Sequence, residues 1–91
     1  MVAFIAPPAA QIRLLPQEQE GTCTFNGQFA ATRNALDRFG QSVILAALLM
    51  LREKVKRGAS LDYLQVFEIS GERLWIIDDG DVVTALSPED Y

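Results

Sequence analysis

Asp78, Asp79 and Asp81 stand around Gly80 between two apolar runs, in the stretch LWIIDDGDVV from Leu74 to Val83. Carboxylates so closely spaced suit two kinds of chemistry, oxygen ligation of a hard cation and paired acid/base work. A calcium loop needs more oxygen ligands, a longer loop and a closing bidentate glutamate, and none follows here at the required spacing. Hydrolysis by a carboxylate pair needs a pocket around it, whereas these flanks read as strands. The spacing fits a hairpin turn better, with Asp79-Gly80 at its centre and a solvated acidic tip. Asp78 and Asp81 would then face each other across the strands, a like-charge pair that a cation or a basic partner would relieve.

Few other residues are equipped for chemistry. The chain has no histidine, so the commonest general base and the usual zinc nitrogen ligand are missing. Its single cysteine, Cys23, has no disulfide partner and no companion thiol for a metal clip, and reads as a plain small thiol in a reducing, cytoplasmic setting. An enzyme built on Asp78, Asp81 and Tyr63 would lack a histidine, a glycine-rich phosphate loop and any metal spacing. The sequence therefore predicts no enzyme, no catalytic residue, no cofactor and no metal.

Charge is placed unevenly within a net of −4. Arg13, Arg33 and Arg38 cancel Glu18, Glu20 and Asp37, and the run REKVKR, Arg52 to Arg57, is strongly basic. Beyond it, Arg73 alone opposes Asp62, Glu68, Glu72, Asp78, Asp79, Asp81, Glu89 and Asp90. An acidic C-terminal third repels phosphate, and the basic run lacks interleaved aromatics, so nucleic-acid binding is disfavoured. The run is explained instead by its place at a helix end.

That helix is predicted from about Arg33 to Arg57. Ala35, Leu36, Phe39, Val43, Ala46, Ala47, Met50 and Leu51 recur at helical spacing, Thr32 or Asn34 can cap the start, and Gly58 suits the left-handed residue past the end. Gly40 either interrupts it or is absorbed within it. Leu36, Phe39, Val43, Ala47 and Met50 are the expected buried stripe. The longest apolar run, Val43 to Leu51, is far shorter than the roughly 20 residues a membrane span needs. No membrane association is expected.

After Gly58 the hydrophobic period falls to two. YLQVFEIS, RLWIID and VVTALS read as three antiparallel strands joined at Gly71-Glu72 and Asp79-Gly80, with Ser70 opposite Arg73 and Asp78 opposite Asp81. One face then collects Tyr63, Phe67, Ile69, Leu74, Ile76, Val83 and Ala85 as a floor for the helix. The other collects Leu64, Val66, Glu68, Arg73, Trp75, Ile77, Val82, Thr84 and Leu86. Earlier in the chain, Asn26-Gly27 predicts a hairpin of Thr22–Phe25 with Gln28–Ala31, with a helix from near Gln28 as the competing reading. Residues 1 to 21, interrupted by Pro7, Pro8 and Pro16, are expected to be an extended arm with one or two short strands, and residues 22 to 91 a single domain. The expected architecture is α+β: one long helix, continuous or broken near Gly40, on a three-stranded antiparallel meander with an N-terminal arm or hairpin.

The segment TRNALDRFGQSVILAALLMLREKVKRGASLDYLQVFEI, residues 32 to 69, resembles a small uncharacterised family of Gram-positive bacteria and their mobile elements, known only as a domain of unknown function. DYLQVFE, Asp62 to Glu68, is the most specific part. The resemblance implies a bacterial or mobile-element setting and carries over no catalytic residue.

One helix covers one side of a sheet, which leaves the side bearing Trp75 in need of another cover, either the N-terminal 30 residues or another chain. Tryptophan beside arginine on a half-apolar face is also the composition of interface hot spots. The sequence thus predicts a small acidic protein that acts by binding proteins, regulatory or inhibitory, through Trp75, Ile77, Val66, Arg73, Val82 and Leu86, with a homodimer as the simplest arrangement. The alternative is an acidic nucleic-acid mimic from a mobile element or phage, inhibiting a nuclease or defence complex through Asp78, Asp79 and Asp81.

Overall fold

The computed structural model describes residues 12–91. The chain runs β1 (Ile12–Leu14), β2 (Gln28–Ala31), α1 (Arg33–Phe39), α2 (Gln41–Lys56), β3 (Leu64–Ile69), β4 (Glu72–Asp78), β5 (Val82–Leu86) and a 3₁₀ turn, Pro88–Asp90. Five strands make one sheet in the order β1-β3-β4-β5-β2, antiparallel except where β2 lies parallel to β5. The fold is α+β, but the expected single long helix on a three-stranded antiparallel meander is corrected to two helices on a five-stranded mixed sheet.

The central meander, β3-β4-β5, forms where the period-two pattern lies, with different registers. Ser70 and Gly71 both have positive φ, 52° and 83°, so they and not Gly71-Glu72 are the central pair of a type I′ turn, and Arg73 lies opposite Glu68 instead of Ser70. The second turn is longer, with Asp78 opposite Val83 and the Asp79 N–H donating to the Val82 carbonyl at 3.2 Å. Each register differs from expectation by an even step, so the alternation keeps its faces. Phe67, Ile69, Leu74, Ile76, Val83 and Ala85 are buried under the helices as expected. Tyr63 precedes β3 and is exposed, while Gln65 is buried on that face.

The two added strands replace the expected N-terminal hairpin. β1 pairs antiparallel with β3, Ile12 opposite Ile69, and Cys23 bridges to Leu61. β2 lies beside β5, Phe29 opposite Val83, so Gln28–Ala31 extends the main sheet and does not pair with Thr22–Phe25. A local hairpin would leave its apolar side chains little to pack on, whereas the edge of β5 brings Phe29 and Ala31 to the core margin. Phe25, at φ 55°, turns its ring into that core and is fully buried. Gly27 serves a close approach and not a type I′ turn: a Cβ there would lie 2.8 Å from the Asp81 carbonyl oxygen. The arm expected over residues 1 to 21 falls partly outside the described residues; its described part holds β1.

Gly40 breaks the helix. Its φ of 80° and ψ of 154° are not helical, and the axes of α1 and α2 differ by 100°. Thr32 Oγ1 accepts the Ala35 N–H at 3.2 Å and caps α1. At the far end, Gly58 at φ 91° donates to the Val55 carbonyl and Ala59 to that of Lys54, a Schellman closure. The bend also resets the helical phase, so a stripe counted straight through Gly40 goes astray. Of its five members only Ala47 is buried, and Leu36 is 40% exposed. The buried residues of α2 are Ile44, Ala47, Leu48 and Leu51, which join Ala35, Phe25, Leu61, Ile12 and the sheet residues in one core.

Among the described residues no single helix is long and apolar enough to cross a membrane.

Candidate functional site on the open sheet face

Both helices contribute their buried residues to the same side of the sheet, and among the described residues neither helix lies on the opposite side. Its side chains form rows across the strands, set by register. Arg13, Glu68 and Arg73 make the first row, with Arg13 2.7 Å and Arg73 3.9 Å from the Glu68 carboxylate. Val66, Trp75 and Leu86 make the second, and Leu64, Ile77, Thr84 and Ala30 the third. Val66, Trp75, Ile77 and Val82 are half-buried, Arg73 is exposed, and Leu86 is buried by the chain itself. Five of the six residues expected to meet a partner therefore retain accessible surface.

Two features of this face lie outside the sequence reading. Tyr91 sets its ring edge-on to Trp75, with centroids 5.5 Å apart and an interplanar angle of 62°. Tyr91 remains 80% exposed, so it borders the tryptophan without covering the sheet. It is held there by the 3₁₀ turn, whose Asp90 accepts from Thr32 Oγ1 at 2.6 Å, Asn34 Nδ2 at 2.7 Å and the Ser87 N–H at 3.0 Å. The hydrogen bond from Thr32, followed by those from Asn34 and Ser87 and by the Arg38 charge, holds the Asp90 carboxyl below the usual carboxylate range. No spacing in the sequence signals that residue 91 returns to residue 75.

The second feature is a recess beside the face, lined by Pro16, Gln17, Asp62, Tyr63, Leu64 and Arg73 among others. Gln17 orders its wall: Oε1 accepts the Asp62 N–H at 3.1 Å and Gln65 Nε2 at 2.8 Å, while Nε2 donates to the Ser60 carbonyl at 2.8 Å. The buried Gln65 is thereby satisfied, and the loop before β3 is tied to the chain leaving β1.

The acidic turn differs from its expected form. Asp78 does not face Asp81; it is only 8% exposed, on the helix side of the sheet, and accepts the Phe25 N–H at 3.0 Å and the Gly80 N–H at 2.9 Å. Asp79 Oδ1 accepts the N–H groups of Val82 at 2.8 Å and Asp81 at 2.9 Å, and these bonds hold its carboxyl below the usual range. Two of the three carboxylates thus serve the fold of their own loop. Among the described residues no three Cys, Asp or Glu side chains gather in a geometry suited to a metal ion. Cys23 has its thiol pKa pushed up, first by burial and then by the Asp78 and Asp62 charges, which disfavours the thiolate a nucleophile requires. In the basic run, Arg52 Nε donates to the Phe25 carbonyl at 2.8 Å and Arg57 pairs with Glu53 at 3.1 Å, so two of its four cations are engaged within the chain.

Compared with protein-family models, curated proteins and solved structures, the chain matches none.

Proposed function

We propose that this is a non-enzymatic protein-binding protein, regulatory or inhibitory in role and cytoplasmic, whose partner docks on the open sheet face. The observation that carries the reading is the one-sided architecture: both helices pack on one side, and the other presents Trp75 and Ile77 amid Val66, Leu64 and Val82 with a charged row at its border. An aromatic anchor in an apolar patch with arginine beside it is the composition from which binding hot spots are built. The acidic turn supports the same reading through Asp78, which accepts the N–H groups of Phe25 and Gly80 and is withdrawn from the surface. A nucleic-acid mimic needs its negative charge on display, and of the three carboxylates only Asp79 and Asp81 stand on the surface.

The test is capture of partners from the native cell by wild-type protein and by the double variant Trp75→Ala, Ile77→Ser, with circular dichroism confirming the fold of both. A partner retained by the first and lost by the second is expected. Equal capture by both would remove the face from consideration. Sedimentation of the same two proteins shows whether a second copy occupies the face.

A further inference from the structure

The sheet ends differently at its two edges. β1 is short, carries Arg13 and runs into Pro16, the devices by which natural sheets guard an edge against stray pairing. β2 is nearly as short, at four residues, but carries neither a charge nor a proline. No charged residue and no proline occurs between Glu20 and Arg33, and Gln28–Ala31 lies within that neutral stretch.

The free hydrogen-bonding groups of β2 follow from its pairing. The Thr32 N–H donates to the Ala85 carbonyl at 2.9 Å, and backbone direction alternates along a strand, so Gln28, Ala30 and Thr32 face β5. The N–H and C=O groups of Phe29 and Ala31 therefore point outward, where no described strand meets them. We propose that this edge pairs with the same edge of a second copy, antiparallel about a two-fold axis at Ala30, which joins the two sheets into one.

Three properties select a second copy as the occupant. With Phe29 opposite Ala31 of the other copy and Ala31 opposite its Phe29, every outward group of both residues is matched, since each such pair exchanges both of its hydrogen bonds. The same register sets a large side chain against a small one twice over on the helix side. Those side chains share a groove with Leu36 and Leu45, each 40% exposed, which the second copy would help to cover. Ala30, exposed on the opposite side, meets its own equivalent at the close approach of a non-hydrogen-bonded pair, where a small neutral residue fits. Electrostatics agree: two chains of net charge −4 repel, and contact through an uncharged strand brings the least charge together. Because the guarded β1 edges lie at the outer ends, the association closes at two copies. The open face with Trp75 stays free, so this pairing is independent of the proposed partner site.

Sedimentation equilibrium of the full chain over a micromolar concentration series tests the pairing. A monomer–dimer equilibrium is expected, with Ala30→Lys weakening it at least about tenfold by opposing like charges across the axis, and Ala30→Thr, a strand-favouring neutral change, preserving it. Trp75→Ala with Ile77→Ser should leave the dissociation constant unchanged. Hydrogen exchange on the wild-type protein gives a second readout without mutation: the Phe29 and Ala31 amides should become protected as concentration rises. A monomer throughout the series, a dimer whose Phe29 and Ala31 amides stay unprotected, or one dissolved by the Trp75 variant and not by Ala30→Lys would each overturn the proposal.

Discussion

Asp78 and Arg52 hold a single residue between them: the carboxylate accepts the N–H of Phe25 at 3.0 Å and the guanidinium donates to its carbonyl at 2.8 Å. Phe25 needs both. Its left-handed backbone leaves it outside any ladder, and its ring is fully buried, so its peptide groups are satisfied by side chains brought from α2 and β4. Removal of the acceptor by Asp78→Ala strands the buried Phe25 N–H and should cost about 1–3 kcal/mol, measured as a lower urea midpoint. A change within about 0.5 kcal/mol would show that water replaces the carboxylate.

The acidic turn makes a contrast within three residues. Asp79→Ala removes the acceptor for two loop N–H groups and should lower the thermal midpoint, whereas Asp81→Asn should leave it unchanged, because Asp81 contributes its backbone and not its carboxylate to the turn. Equal effects of the two substitutions would contradict this division of labour.

Acid should act on the same carboxylates. Asp79 and Asp90 both have lowered pKa values in the folded chain, so their contribution is complete above the unfolded carboxylate pKa near 4 and is lost as pH falls through the lower folded values. Asp90→Asn should therefore flatten the decline in stability below about pH 4, and it should also loosen Tyr91, read as a change in Trp75 fluorescence. An acid transition identical to wild type would show that Asp90 does not tie the 3₁₀ turn to α1.

The rephased helix gives a sharp comparison. Leu48→Ala should cost about 2–5 kcal/mol by opening a cavity in the core, while Leu49→Ala, at a 61% exposed neighbour, should stay within about 0.5 kcal/mol. Phe39→Ala, at a half-buried position, should fall below the effect of Leu48→Ala, although the sequence pattern alone ranks Phe39 among the core residues. Urea midpoints of the three variants order them directly.

The helix result shows which parts of the fold were legible in the sequence. Gly40 was readable as a possible break, but no local signal gives a bend of 100°, and without the angle the phase of α2 cannot be counted. The faces of β3, β4 and β5 were readable because alternation tolerates an even error in register, and they place Val66, Trp75, Ile77 and Val82 together as the structure does. The same alternation puts Asp78 in line with Leu74 and Ile76 on the helix side, a signal that was present and outweighed by its glycine-turn neighbours. β1 and β2 were not legible as members of the main sheet. They span three and four residues, and their identity as strands depends on partners more than 50 positions away.

Those distant partners impose an order on biosynthesis. Ile12 waits for Ile69, and Phe29 for Val83, so both outer strands leave the ribosome well before anything exists for them to pair with. The meander that receives them is itself local, closed by short turns, and is the natural seed. Both outer strands are thus made early and placed late, and until β5 emerges the uncharged segment Gln28–Ala31 travels as unpaired strand in a crowded cell, while Gly21 and Cys23 already have Ser60 and Leu61 to meet. A nascent chain arrested before Val82 should engage chaperones through Gln28–Ala31, and one released after Leu86 should not.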